Sequence, residues 1–200
     1  MKVLLINGSP HENGCTFTAL SEIAAELERH NVESEIVHIG TGPVRGCIAC
    51  GGCKAAGQCV FDDDACNEIG KKAAGADGII VGSPVHFAAP AGALCAVLDR
   101  MFFSSRGNLT GKPAAAVVSC RRGGASASFD RLNKYFTISQ MPVVSSNYWN
   151  AVHGNSPEEV KCDLEGLQTM RTLAKNMAWI LASKTPLPDT EPKVITNFIR

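Results

Sequence analysis

The chain has 200 residues, and 19 lysine and arginine residues balance 19 aspartate and glutamate residues, so its formal net charge at pH 7 is zero. This length suits one domain with a single core, and the balanced charge excludes nucleic acid and an anionic membrane surface as expected partners. No apolar run reaches the length of a membrane span, and the first residues have a strand pattern rather than that of a signal peptide. We therefore expect a cytoplasmic protein that acts on a small molecule and keeps its nine cysteines reduced.

The first twenty residues combine an apolar strand over 3–6, a loop of small polar residues and the start of a helix. Leu20, Ile23 and Leu27 follow the loop at helical spacing. Free backbone N–H groups and the positive end of the helix dipole suit such a loop to a phosphate. The loop has neither the lysine of a P-loop nor the GxGxxG of a dinucleotide fold. The alternative is a plain strand–turn–helix connection capped by Thr16.

Strand and helix patterns alternate along the rest of the chain. The further predicted strands are 33–39, 78–81, 114–118 and 142–145, and the predicted helices are 16–31, 64–74, 94–101, 129–138 and one that begins at Ser156 and extends to Leu181. A long loop at 41–63, an irregular segment at 146–155 and an extended tail from Pro186 to Ile195 interrupt this alternation. We expect the tail to pack on a neighbouring subunit. The alternation predicts an α/β domain with a doubly wound parallel sheet and right-handed crossovers.

Three loops that follow predicted strands are rich in small or polar residues, namely 8–16, 83–87 and 119–124. In a doubly wound sheet, the loops at the carboxyl ends of the strands meet at one edge, where ligands bind. The three loops therefore predict one shared ligand site.

The residues in these loops resemble a known family. Gly8-Ser9-Pro10 with Gly14-Cys15-Thr16, Ser83-Pro84-Val85-His86 and Leu98-Asp99-Arg100 are similar to the NADPH-dependent FMN reductase family of flavodoxin-like proteins, and Cys47, Cys50, Cys53 and Cys59 are similar to its iron–sulfur flavoprotein branch. The resemblance implies a flavodoxin-like five-stranded sheet in the order 2-1-3-4-5, with helices on both faces. It implies one FMN-binding domain over 1–200 with the cysteine-rich loop 41–63 inserted, and assembly into a homodimer or homotetramer.

The resemblance also implies which residues contact the flavin. These are Ser9, Pro10, His11, Gly14, Cys15, Thr16 and Thr18 around the FMN phosphate, Pro84, Val85, His86 and Phe87 on the ring, and Ser119, Cys120, Arg121, Arg122, Gly123 and Gly124 on its other edge. Relatives often have arginine at the position of His11, asparagine at that of Cys15 and an aromatic residue at that of His86. His86 could donate a proton to reduced flavin or simply line the pocket.

Two further groups near the predicted site allow alternative interpretations. Arg121 or Arg122 could place positive charge near the N1–C2=O edge of the flavin or meet the 2′-phosphate of NADPH, and both could equally be solvated loop arginines. Tyr148, Trp149 and His153 could cover the flavin of a partner subunit or pack beneath a long loop.

The cysteine loop has the spacing CxxCxxCx5C from Cys47 to Cys59. The first three thiolates have the ferredoxin spacing that wraps one face of a cubane, whereas the fourth has a different gap and lacks the following proline. A four-cysteine zinc site normally uses two separated CxxC knuckles. A [4Fe-4S] cluster, a metal-free loop of reduced or partly disulfide-linked thiols, and zinc are therefore all open, and the cluster is favoured.

The sequence predicts an FMN-dependent oxidoreductase that transfers electrons from NAD(P)H to flavin, a quinone or another small acceptor. The alternatives are an iron–sulfur flavoprotein that relays electrons from ferredoxin through a [4Fe-4S] cluster and FMN, and a non-catalytic flavin-binding module. No catalytic side chain is predicted, because the flavin carries the redox chemistry and the protein supplies binding, orientation and charge.

Overall fold

The computed structural model describes residues 1–183, 186–189, 191–192 and 194. Its strands are β1 (Lys2–Asn7), β2 (Glu33–His38), β3 (Gly78–His86), β4 (Ala89–Pro90), β5 (Ala114–Cys120) and β6 (Ala151–His153), and its helices are α1 (Cys15–Arg29), α2 (Cys53–Ala56), α3 (Cys66–Gly75), α4 (Gly92–Leu109), α5 (Ala125–Ile138), α6 (Pro157–Cys162) and α7 (Leu164–Ala182). Among the described residues, no helix is both long and apolar enough to cross a membrane.

Five parallel strands form the sheet in the order β2-β1-β3-β5-β6, and β4 pairs antiparallel with the end of β3. Side chains of a strand alternate between the two faces, so Val3 and Leu5 of β1 belong to the apolar cluster that contains α1 and α7. Leu4 and Ile6 belong to the opposite cluster, with residues of α3, α4 and α5. The doubly wound α/β prediction, with helices on both faces, is therefore confirmed.

The third strand is longer than predicted, because residues 83–86 continue β3 instead of starting a loop. Pro84 still lies in register with Ser119 of β5, and the chain then turns back through Phe87 and Ala88 into β4. Both turn residues have positive φ, 52° and 60°, the geometry of a tight hairpin turn that usually favours Asn or Gly. The proline and the small polar residues concealed this strand extension in the sequence.

The prediction of a fifth strand at 142–145 is wrong. That segment forms only one isolated bridge, from Val143 to Ala114, and the fifth position of the parallel sheet is taken by β6. Both segments lie on the same edge of β5. The N–H of Val144 donates to the carbonyl of Ala114 at the start of β5, and the N–H of Val118, near the end of β5, donates to the carbonyl of Asn150. The irregular segment therefore interrupts one split edge strand.

The buried side chain of Asn150 bridges the interruption. Its Nδ2 donates to the backbone carbonyl of Ala116 at 3.0 Å, and its Oδ1 lies 2.7 Å from the Ser146 hydroxyl that donates to it. A side chain thus donates the hydrogen bond that the backbone of an uninterrupted strand would give to the Ala116 carbonyl. Buried carbonyls need such a donor.

The last predicted helix is divided into α6 and α7 at Asp163. Its start is as predicted: Ser156 accepts a hydrogen bond from the backbone of Glu159, and Pro157 is the first helical residue. The division follows from a second cap, since the Asp163 carboxylate accepts from the backbone of Gly166 at 2.9 Å. Of the predicted tail, 186–188 lie near Gly111, and Ile195 is outside the described residues.

Candidate functional site

The loops after β1, β3 and β5 lie side by side at the carboxyl edge of the sheet. The buried hydroxyls of Thr16 and Ser119 are 2.9 Å apart, which joins the first loop to the third. Gly124 has φ +88° and a Cβ there would lie 2.8 Å from the Cα of Ala88 and 2.9 Å from Val85, so the third loop is pressed against the second. Only glycine is free of strain at this close approach.

Asn7, at the end of β1, organises the first loop. Its Nδ2 donates to the carbonyl of Glu12 at 2.9 Å and its Oδ1 accepts from the backbone of Ser9 at 3.1 Å. The Ser9 hydroxyl in turn accepts from the backbone of His11 at 3.0 Å. Sequence reasoning missed Asn7, although a polar residue ending an apolar strand is a signal for such a role.

The start of α1 is open for an anion. Gly14 occupies the cap position, and no side chain among the described residues caps the helix there. Thr18 is engaged within the helix, because its hydroxyl donates to the Gly14 carbonyl at 3.1 Å. The first backbone N–H groups of α1 are therefore the hydrogen-bond donors that this loop could offer to a phosphate.

Two cavities flank these loops. One, of about 500 Å³, is lined by Pro10, His11, Glu12, Asn13, Gly14 and Cys15 and by Asn155, Ser156 and Pro157 opposite them. The other, of about 410 Å³, lies behind the third loop and includes Arg122, Gly123, Gly124, Tyr148, Trp149 and His153 in its lining. The rings of Tyr148 and Trp149 meet edge to face with centroids 4.9 Å apart, and both are exposed.

The remaining residues predicted to contact flavin occupy different environments. Ser119 and Cys120 are buried as the last residues of β5, and burial raises the pKa of the Cys120 thiol. Arg121 is exposed, as is His86. Phe87 is fully exposed at the tip of the hairpin. None of these positions tests the predicted contacts with flavin, which stay predictions.

The four cysteines of the long loop converge on one cavity. Cys47, Cys50, Cys53 and Cys59 all line a space of about 280 Å³, together with Arg100 and Phe103 of α4. Among the described residues, no three His, Cys, Asp or Glu side chains meet closely enough to hold a single metal ion.

Asn67 of α3 fixes the backbone of the fourth cysteine. Its Oδ1 accepts from the N–H of Cys59 at 3.0 Å, and its Nδ2 donates to the Cys59 carbonyl at 2.9 Å. The same amide nitrogen lies 3.2 Å from the carbonyl of Phe61. A buried amide thus holds a segment that contains only one turn of helix, α2.

A buried arginine holds the same segment from α4. Arg100 donates from Nε to Cys59 Sγ at 3.2 Å, from Nη1 to the carbonyl of Arg45 at 3.2 Å and from Nη2 to the carbonyl of Phe61 at 2.8 Å. Its Nη1 forms an ion pair with Asp64, and the two side chains are only 1% and 5% exposed. Sequence reasoning used Arg100 only as part of a motif and did not assign it to this loop.

Asp64 lies just before α3, and its Oδ1 accepts from the backbone of Cys66 at 3.0 Å. Burial opposes ionisation of this carboxyl, but the hydrogen bonds from Arg100 and Cys66 outweigh it and hold its pKa below the ordinary value. Burial also raises the pKa of the Cys66 thiol to about 12, so this cysteine is a protonated core residue at neutral pH.

The comparisons with known proteins identify the family. Residues 1–156 match the family described as NADPH-dependent FMN reductase. The protein belongs to the NADPH-dependent FMN reductase family. The resemblance drawn from the sequence motifs is thereby confirmed.

Within this FMN reductase family, curated proteins named iron–sulfur flavoprotein are similar over nearly the whole chain. An iron–sulfur flavoprotein from Methanocaldococcus jannaschii is 34% identical over 191 residues, covering 90% of this chain and 97% of that protein. The one from Methanosarcina thermophila is 31% identical over 186 residues, covering 90% and 95%.

Solved structures confirm the flavodoxin-like fold of this FMN reductase family member. RosB with a bound 8-demethyl-8-formylriboflavin-5′-phosphate intermediate aligns with a TM-score of 0.72 at 14% identity, over 100% of this chain and 94% of that chain. An archaeal flavodoxin aligns with a TM-score of 0.63 at 15% identity, over 91% and 99%.

Asp64→Asn tests the buried ion pair. It leaves the Arg100 charge buried without its partner, so we expect the free energy of unfolding at pH 7 to fall by about 3 kcal/mol, measured by urea denaturation. Asp63→Asn is the matched control: that side chain is 63% exposed and its loss should cost less than about 0.5 kcal/mol.

The effect of Asp64→Asn should also depend on pH. Because folding lowers the pKa of Asp64, its stabilising contribution is complete above the unfolded pKa of about 3.9 and is lost as pH falls through the folded value. The difference between wild type and variant should therefore narrow in acid. Equal stability of the two proteins at pH 7 would contradict the role given to the pair.

Proposed function

We propose that this protein is an FMN-dependent oxidoreductase in which the flavin exchanges electrons with a [4Fe-4S] cluster bound by Cys47, Cys50, Cys53 and Cys59. The observation that carries the proposal is the convergence of these four cysteines on one cavity in a chain of the FMN reductase family. Its relatives from Methanocaldococcus jannaschii and Methanosarcina thermophila are named iron–sulfur flavoproteins, which supports the combination of a flavin with an iron–sulfur cluster.

The three loops fit FMN in their chemistry. The uncapped start of α1 would hold the phosphate through its backbone N–H groups. The hairpin residues 84–87 and the glycines Gly123 and Gly124 would contact the ring, and the close approach of Gly124 to Ala88 places these two segments side by side. Bound FMN supplies the redox chemistry by accepting and releasing electrons.

The cysteine spacing favours a cubane over one zinc ion. Cys47, Cys50 and Cys53 have the ferredoxin spacing, whereas a four-cysteine zinc site normally uses two separated CxxC knuckles. All four thiols line one cavity, which supports the cluster.

NAD(P)H is one candidate donor of electrons to the flavin. The cavity behind the third loop is lined by Arg122 and by the aromatic rings of Tyr148 and Trp149, and also by the carboxylates of Asp163 and Glu165. The arginine and the aromatic rings suit a phosphate and a flat ring of a pyridine nucleotide. Ferredoxin is the alternative donor, and electrons would then enter through the cluster.

The phosphate loop is tested by comparing FMN with riboflavin, which lacks the phosphate. We expect apoprotein to bind FMN at least about tenfold more tightly, because charge-assisted hydrogen bonds to the start of α1 are lost with riboflavin. Quenching of flavin fluorescence measures both dissociation constants. Equal affinities would place the phosphate away from this loop.

The cluster is tested by iron and sulfide analysis of protein purified without air. Cys50→Ser should lose bound iron, whereas Cys162→Ser, which changes an exposed cysteine outside the cysteine loop, should keep it. Both variants should still bind FMN. Unchanged iron in Cys50→Ser, or none in the wild type, would remove the cluster from the proposal.

The donor is tested by anaerobic stopped-flow reduction of the bound flavin. If NADPH is the donor, Arg122→Gln should raise its KM about tenfold through loss of a charge-assisted hydrogen bond. Lys134→Gln, on the exposed face of α5, is the control. Reduction by ferredoxin with no reduction by NADPH or NADH would instead establish the relay.

A further inference from the structure

Arg100 is a fully charged side chain enclosed in the core beneath the cysteine loop. It lies midway along α4, between Val97, Leu98 and Met101, which are all buried. Burying a guanidinium carries a large desolvation cost, and replacing it with an apolar residue of similar size would often leave the protein equally stable or more stable. A packing role alone therefore does not explain this residue.

All of the hydrogen bonds described for Arg100 go to the cysteine loop and to Asp64 at its end. They reach the carbonyls of Arg45 and Phe61, the Asp64 carboxylate and, from Nε, the sulfur of Cys59. The planar guanidinium presents several donors in a fixed fork, so it fixes several acceptors at once. One of these acceptors is the sulfur of a proposed cluster ligand.

Cys59 is the ligand that most needs such support. The first three cysteines follow one another at two-residue gaps, whereas five residues separate Cys53 from Cys59. Asn67 fixes the backbone of Cys59 on both sides, and Arg100 fixes its sulfur. Backbone and side chain of the irregularly spaced ligand are thus held by two buried residues outside the loop.

We propose that Arg100 is a positioning residue of the iron–sulfur site, which holds the sulfur of Cys59 as fourth ligand and raises the reduction potential of a cluster bound there. This inference rests on the proposed cluster. A hydrogen bond to a ligand sulfur stabilises the more negative, reduced form of the cluster, and hydrogen bonds to sulfur are among the determinants of cluster potentials.

The charges around Arg100 indicate that the hydrogen bond carries most of the effect. Asp64 offsets the guanidinium charge within the buried pair. Arg45 is paired with Asp63 at 3.5 Å on the surface of the loop, and Lys54 lines the cavity from an exposed position. Removal of Arg100 and Asp64 together therefore deletes the N–H···S bond with no change in net charge.

The test uses the double variant Arg100→Gln/Asp64→Asn in the full chain, reconstituted with iron and sulfide without air. The measurements are the cluster midpoint potential by a redox titration followed by electron paramagnetic resonance, and the rate of iron release to a chelator. Circular dichroism and FMN binding report whether the variant is folded. Arg106→Gln, which removes an exposed arginine from the same helix, is the matched control.

We expect the folded double variant to have a lower midpoint potential than wild type and to release iron roughly tenfold faster, as loss of a charge-assisted hydrogen bond predicts. Arg106→Gln should match wild type in both. If the double variant does not fold, Arg100→Lys is measured in the same way, because it keeps the charge and loses the fork of donors.

A wild-type midpoint potential in the folded variant would overturn the inference, even if iron is released faster, because a purely structural role would leave the potential unchanged. Wild-type protein that binds FMN but no iron would also overturn it and would leave the flavin proposal standing. Protein that binds neither would overturn both.

Discussion

The parallel direction of the central strands is the constraint on which the rest of the structure depends. Because β1, β3 and β5 all run the same way, their carboxyl ends emerge at one edge, and every loop that follows them must begin there. The buried contact of Thr16 with Ser119 and the close approach of Gly124 to the β3–β4 hairpin are direct consequences. The direction of the strands thus brings three distant segments together at one edge, and Asn7 then orders the first of them.

The two candidate sites are held by different physical means. The flavin loops are short, and the strand ends position them with local help from Asn7. The cysteine loop is long and has little secondary structure, so the strand that precedes it cannot shape it. Two buried polar side chains, Asn67 and Arg100, replace the missing backbone pairing. Polar burial is costly unless the groups are fully hydrogen-bonded, and here the loop supplies the partners.

Much of the fold follows from local pattern. The continuous apolar runs of β1, β3 and β5 and the helical spacing in α1 and α7 are properties of neighbouring residues, which a sequence displays directly. The split fifth strand is different. Val143 and Val144 have the apolar pattern of a strand, yet the sheet pairs mainly with the three residues of β6, and the side chain of Asn150 supplies a hydrogen bond across the gap.

The candidate site shows the same limit. Motifs in the sequence predicted which loops form it, and the structure brings those loops together. The roles of Asn7 and Arg100 depend on contacts between residues that lie apart in the chain, and Arg100 lies 41 positions from Cys59. A charged residue on a helix normally faces solvent, so nothing local indicates that this arginine is buried beneath a cysteine loop.

The central claim is that one chain carries both a flavin and an iron–sulfur cluster. The absorption spectrum of protein freshly purified without air tests this claim most directly. We predict flavin bands on a broad iron–sulfur absorption, and both should bleach when the protein is reduced chemically. Flavin bands without the broad iron–sulfur absorption, or a colourless protein that gains no flavin bands when FMN is added, would contradict the claim.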